Sequence, residues 1–445
     1  MKAAVGGNIG REVMACLTPG DYAGVLLRES GDDERERVSA DHRDEATLWA
    51  GAGAQYLTGN PDCPPLPSPA PLATCAQGAW LALAALSAGR LDPRFPAGQL
   101  LGERAALLGL HRRGAISAGG ACRLLDCADG QLALNLARDE DWQLLPAWLE
   151  VSVDSWEGVA AQLRTRSCVP LAARGRLLGL AVAASQPPSA PDGWFRAERF
   201  ALAAGRRRHA PLVMDLTSLW AGPLCTDLLE QMGARVIKVE SAGRPDAARQ
   251  GSPAFFDLLN ARKQSVVLDL SGARGRRQLR ELLACADIVV ESARPRALQQ
   301  LGIAAADVVA AGNGRVWLSI TGYGRAAPMG EWIAYGDDAG VAAGLSWLLH
   351  RATGLQAFCG DAIADPLTGL HAALAAWSAW TRGGGALIDV SLCGVVAHCI
   401  AAGAVGGATA PGRVEPLPPQ ARSPRGRAPA LGSDTAAVLS EFGIG

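Results

Sequence analysis

The signatures of the commonest cofactor and metal chemistries are missing from this chain. No G-x-G-x-x-G follows the first clear strand after Pro211; the turn there reads DLTSLWAGP, so the glycine cradle that admits a dinucleotide pyrophosphate is absent. No Walker P-loop, H-E-x-x-H helix or G-x-S-x-G elbow occurs, which removes the usual NTPase, zincin and α/β-hydrolase readings. His42, His111, His209, His350, His371 and His398 are dispersed, none paired at metal-ligand spacing, so no metal is expected. Eleven cysteines, an odd number without a C-x-x-C pair, argue against a disulfide framework or a zinc site. A charge imbalance is missing too: 42 Lys+Arg against 43 Asp+Glu give no bulk attraction to nucleic acid or an anionic membrane. The longest apolar run, Gly394 to Ala410, contains His398 and falls short of the roughly 20 residues a spanning helix needs. Arg11 and Glu12 interrupt the apolar stretch near the start, so no secretion signal is visible. These absences together read as a soluble, cytoplasmic protein.

What is present is a globular composition, 49% hydrophobic and 19% charged, over 445 residues. At roughly 100–200 residues per domain that length suits two or three domains. A basic stretch at 205–211, GRRRHAP, reads as a linker, and a Pro, Arg and Gly-rich segment between Ala410 and Leu431 reads as an extended surface connection. Between them PLVMDL, ARVIKVE, SVVLDL, DIVVE and RVWLSI alternate with helical stretches. That order predicts a parallel α/β sheet with helices on both faces. Ligands of such sheets bind beyond the carboxyl ends of the strands, here just after Leu216, Glu240, Leu270, Glu291 and Ile320.

The first half is mostly helical, with a hairpin around CRLLDCADGQLALNLA whose ADG supplies the turn. It also echoes the second half. PLATCAQGAWLALAAL, from Pro71 to Leu86, matches AIADPLTGLHAALAAW, from Ala362 to Trp377, with Gly78 on Gly369. Either a weak internal repeat or two unrelated Ala-rich helices accounts for it.

Carboxylates carry the remaining chemistry. Asp337, Asp338, Asp361 and Asp365 lie close to apolar segments, in GDDAG and CGDAIADPLTGLH. Asp365 precedes Pro366 at the start of an apolar helix, so it reads either as an N-cap or as a partly desolvated nucleophile able to form an acyl intermediate. Asp361 reads equally as a turn residue.

The motifs DLTSLWAGPLCTDLLEQMGARVIKVES, NARKQSVVLDL, ADIVVESARPRALQQLG, SITGYGRAAP, GDAIADPLTGLHAALAAW and LIDVSL resemble, in order and spacing, the class III CoA-transferase family. That family includes formyl-CoA transferase, the carnitine CoA-transferases and the α-methylacyl-CoA racemases. The tail GRAPALGSDTAAVLSEFGIG looks like the family's C-terminal end, and ACRLLDCADGQLALNLARDEDWQLLPAWLE like its smaller domain. The resemblance implies a Rossmann-like parallel sheet plus a smaller α+β domain. It divides the chain into a degenerate copy at 1–204, small-domain-like from about 90, the linker 205–211, a nucleophile-bearing copy at 212–409, and a tail at 410–445. In the aligned repeat the first copy carries Thr74 where the second carries Asp365, so one active centre per chain is implied, in a homodimer or in a monomer that imitates one.

By this resemblance Asp365 is the nucleophile, and coenzyme A and acyl-CoA are substrates, with no permanently bound cofactor. CoA is expected against Leu219, Trp220 and Ala221, near Lys263, and along Ser292 and Ala293. Asp365 attacks the acyl-CoA carbonyl, the thiolate returns to give an aspartyl-CoA thioester, and an acceptor acid completes the exchange. Three departures stand out. Formyl-CoA transferase has glutamine where this chain has Trp220 and arginine where it has Ser241, with Arg244 as a substitute; the racemases have histidine where it has Asp337. A racemase using Asp337 and Asp365 as a carboxyl pair and a non-catalytic CoA-binding protein are the alternative readings.

Overall fold

Runs dominated by Val, Ile and Leu become strands because their branched side chains suit a pleated surface buried on both faces. In the computed structural model, which describes residues 45–191, 193–203, 210–403 and 414–445, ten strands form two sheets. The smaller is an antiparallel meander of β1 (Cys122–Cys127), β2 (Gly130–Asn135) and β3 (Ala181–Ser185). The hairpin turn falls where ADG predicts it, with Cys127 opposite Gly130. Helices Asp139–Leu149, Trp156–Leu163 and Cys168–Leu178 cover this sheet around Trp148.

The larger sheet uses β4 (Phe195–Arg199), β5 (Leu212–Leu216), β6 (Arg235–Ser241), β7 (Gln264–Leu268), β8 (Ile288–Glu291), β9 (Val316–Thr321) and β10 (Ala386–Ser391). Their order is β4-β10-β9-β8-β5-β6-β7. All pairings are parallel except β4 with β10. The antiparallel edge strand comes from chain ahead of GRRRHAP, whose residues 205–209 lie outside the described residues. Residues 404–413, the start of the second expected break, lie outside them as well, as does the N-terminal stretch that holds Arg11, Glu12 and His42.

One face of the large sheet carries the main core. Helix Ala364–Thr381 is apolar on every side and buried from Pro366 to Trp380, as an all-round hydrophobic helix must be. It packs among helices Leu72–Leu86, Ala221–Gln231 and Leu392–Gly403. The two helices of the sequence echo are therefore neighbours, joined where the Trp377 indole N–H donates to the Leu86 carbonyl at 3.3 Å. At the position aligned with Asp365, the Thr74 hydroxyl donates to Glu45 at 2.7 Å.

The tail crosses both parts. Thr435 Oγ1 and Asp434 Oδ2 accept from the backbone N–H groups of Val267 and Ser265 at 3.0 and 2.8 Å, covering β7 at the sheet edge. Arg422 pairs with Glu103 and Asp227, joining a helix of the first part to one of the second. Among the described residues no helix is long and apolar enough to cross a membrane.

Candidate active site

Two glycines bring the carboxylate region against the first βα turn of the large sheet. On helix Ala364–Thr381, Gly369 sits one turn after Asp365 on the same face. A Cβ there would lie 2.6 Å from the Ala221 carbonyl oxygen, so glycine alone permits this approach. The helix that bears Asp365 is thereby held against the head of helix Ala221–Gln231. Gly336 does the same on the other side: a Cβ would come within 2.3 Å of both Asp365 Oδ2 and the Ala362 carbonyl.

The N-cap expectation for Asp365 is not what the helix shows. The helix begins at Ala364 with Ile363 as its cap, and no side chain caps it. Asp365 occupies the first turn, where the dipole favours a negative charge, while keeping some contact with solvent. Burial nonetheless pushes its pKa up to about 7, the Arg104 guanidinium working against the shift and Asp337 and Asp361 adding to it. Burial, reinforced by Asp361, pushes Asp337 to about 6. Asp338 is likewise raised by burial, to about 7, while accepting from the Tyr335 N–H at 2.9 Å and the Asn135 amide at 3.1 Å.

The loop ahead of Asp365 is fixed residue by residue. The Gly360 N–H donates to Thr58 Oγ1 at 2.9 Å, and the Ala362 N–H to Asp337 Oδ1 at 2.9 Å. Between them Asp361, read in the sequence as a turn residue, takes two hydrogen bonds from Arg104, that from Nε at 2.8 Å. Ala362 itself has φ +42°, a left-handed conformation costing on the order of 1 kcal/mol that only a well-determined surround maintains. Burial opposes the charge of Arg104, but the carboxylates of Asp361, Asp337 and Asp365 outweigh it and hold its pKa above the ordinary value.

The expected CoA-contact residues divide into three groups. Leu219 is 40% exposed with φ +70°, and its N–H donates to Asp246 Oδ1 at 3.0 Å. The loop after β8 meets the same turn, where the Ser218 N–H donates to Ser292 Oγ at 3.4 Å; Ala293 N–H turns back to Glu291 at 2.8 Å. Trp220 and Ala221 are buried, Trp220 edge-on to Phe255 with the Arg104 guanidinium 5.4 Å from its ring centre. Lys263 is enclosed: its ammonium donates to Asp215, Asn260 and the Pro223 carbonyl at 2.9–3.0 Å beneath the turn. Its pKa is lowered, burial outweighing Asp215. The structure thus places Lys263 as a support of the β5 turn rather than on its outer surface. Ser241 ends β6 beside Arg244, bridged to it in backbone pairing.

Residues 211–430 match the sequence profile of CoA-transferase family III. That segment belongs to CoA-transferase family III. Succinyl-CoA:glutarate CoA-transferase of Mus musculus is 32% identical over 199 residues, covering 42% of this chain and 46% of that protein. Formyl-CoA:oxalate CoA-transferase of Bradyrhizobium sp. (strain ORS 278) is 34% identical over 169 residues, 36% of this chain and 40% of that one. A solved CAIB/BAIF family protein from Brucella suis aligns at 27% identity over 45% of this chain and 55% of that chain, with a TM-score of 0.35. The chain spans less than half the length of these two curated relatives. The family segment holds Asp337, Asp361 and Asp365, but Thr58, Arg104 and Asn135 lie outside it. No motif marks these three in the sequence; each is recognisable only by a contact made across more than 200 positions.

Proposed function

We propose that this chain is an acyl-CoA:carboxylate CoA-transferase working through an aspartyl-CoA thioester on Asp365. The observation that carries the proposal is the carboxylate itself: first turn of a buried helix, beside the β5 turn, with its pKa raised to about 7. A carboxylate so poorly solvated is basic enough to be a nucleophile and still substantially ionised near neutrality. Family membership of the surrounding segment, and relatives named as CoA-transferases for succinyl-CoA with glutarate and for formyl-CoA with oxalate, support the same reading.

The steps balance without an external cofactor. An Asp365 oxygen attacks the thioester carbonyl, the C–S bond breaks, and CoA leaves as thiolate from a mixed anhydride. The thiolate attacks the Asp365 acyl carbon and expels the donor acid as its carboxylate. An acceptor carboxylate then attacks the aspartyl thioester, releases the thiolate again, and receives it at its own carbonyl, which frees Asp365. We read the remainder of the chain as a second, partial copy of the family whose small sheet and helices complete this centre. Donor and acceptor are an acyl-CoA and a carboxylic acid.

The test is the intact mass of the protein after exposure to a panel of acyl-CoA thioesters, with and without hydroxylamine, beside Asp365→Asn. A CoA-mass adduct that hydroxylamine removes and the variant lacks is expected. Exchange of the α-proton in deuterated water without any adduct would instead favour the carboxyl pair of Asp337 and Asp365 as acid and base. Binding of CoA with neither signal would leave a non-catalytic protein.

A further inference from the structure

We propose that Arg104 is a positioning residue for Asp365, delivered by the N-terminal part of the chain to hold the nucleophile loop against the β5 turn. The proposal rests on Asp365 being the nucleophile, and its geometry stands apart from that reading. Arg104 makes a two-point contact with Asp361, whose side chain is fully buried and which lies four residues before Asp365. The same guanidinium lies over Trp220, the residue that opens helix Ala221–Gln231. One side chain therefore touches both walls that meet at Asp365, across a separation of 257 positions from Asp361.

Arg104 is itself anchored. Its neighbour Glu103 is fully buried and takes three hydrogen bonds from Arg422, which also reaches Asp227 on helix Ala221–Gln231. The short helix Glu103–Leu108 is thus fixed to the helix on which the Asp365 helix leans. A planar guanidinium is required here because a bidentate carboxylate contact and a ring contact share one group; lysine offers a point charge without the fork.

The charges around Asp365 make the position consequential. Asp337 approaches from helix Gly336–Ala342 and Asp361 from the preceding loop, while Arg104 comes from the N-terminal part. Glu103 and Asp227, on the flanking helices, are matched by Arg422 and Arg425. Withdrawing Arg104 leaves a cluster of carboxylates without the cation that faces it, so Asp365 will hold its proton to higher pH and its loop will lose its anchor.

The experiment uses the full chain with its aspartate carboxyls labelled with carbon-13, the Asp365 resonance being assigned by its loss in Asp365→Asn. Arg104→Met is expected to raise the Asp365 titration midpoint by at least about one pH unit. Adduct formation at pH 7 should slow by about 100-fold, with the half-saturating acyl-CoA concentration altered less than about threefold. Arg104→Lys should fall between, and Asp361→Asn, which removes the anchor but keeps the cation, should slow the adduct without raising the midpoint. An unchanged midpoint and adduct rate in both Arg104 variants overturns the proposal. A shifted midpoint in a protein whose wild type forms no adduct would sustain the role of Arg104 while removing the transferase reading.

Discussion

At the scale of single residues, Asp365 sets a conflict between stability and chemistry. Its folded pKa is about 7, above the ordinary aspartate value of 3.8. Below pH 3.8 both folded and unfolded chains are protonated and no penalty arises. As pH rises through 7 the unfolded chain ionises first, so stability is progressively lost, and above 7 the loss is complete. Asp365→Asn removes this dependence. Relative to wild type it should gain about 3 kcal/mol in unfolding free energy between pH 5 and pH 8, read by urea denaturation at both values. The wild-type adduct rate should rise over the same interval, since only the carboxylate attacks. An equal pH dependence of stability in the two proteins would show that Asp365 is ordinarily solvated.

Residues of this kind were legible in the sequence only where a local pattern exposed them. Asp337, Asp338, Asp361 and Asp365 stand in short apolar surroundings that mark them as candidates, and the structure gathers Asp337, Asp361 and Asp365 around one guanidinium. Arg104 sits in LLGERAALLG, an ordinary amphipathic pattern; what distinguishes it is a contact with a carboxylate 257 positions away, to which no periodicity points. Lys263 is a different case. The family resemblance implies a CoA contact there and its place in a turn a solvated lysine, and the structure pairs its amine with the buried Asp215.

At the scale of elements, strands with apolar runs on both faces were read directly: LVMDL, RVIKVE, SVVL, DIVVE and RVWLSI coincide with β5 to β9. β3 and β4 were not. AVAAS is too short and too Ala-rich to announce a strand, and FRAER is an exposed edge whose place is set by pairing with β10 rather than by burial. The tail is another element whose role depends on distant partners. Arg422, 16% exposed, neutralises Glu103 and, with Arg425, Asp227. Arg422→Met leaves Glu103 buried without a counter-charge and should lower the unfolding free energy by about 3 kcal/mol, read as a lower urea midpoint. A loss below about 1 kcal/mol would mean that the tail is retained by shape and by its capping of β7, with the ion pairs adding little.

At the scale of the whole molecule, the site draws on both parts of one chain. Thr58 and Arg104 reach the loop ahead of Asp365 from the first part, Asn135 reaches Asp338 from the small sheet, and Asp365 comes from the second. In one copy of the chain these contacts join the first part to the second. Mixing inactive variants tests this. Asp365→Asn supplies an intact Arg104 and Arg104→Met an intact Asp365; if each centre is built in one chain, co-expressing the two cannot restore a complete one. Adduct formation in the mixture should then stay at the sum of the separate variants, measured as CoA-mass adduct per total protein. Recovery to about a quarter of the wild-type yield, the share expected if chains exchange their N-terminal parts at random, would mean that the two parts pair between copies. The contact between Arg104 and Asp361 would then be the seam of a dimer, with the same chemistry on either side of it.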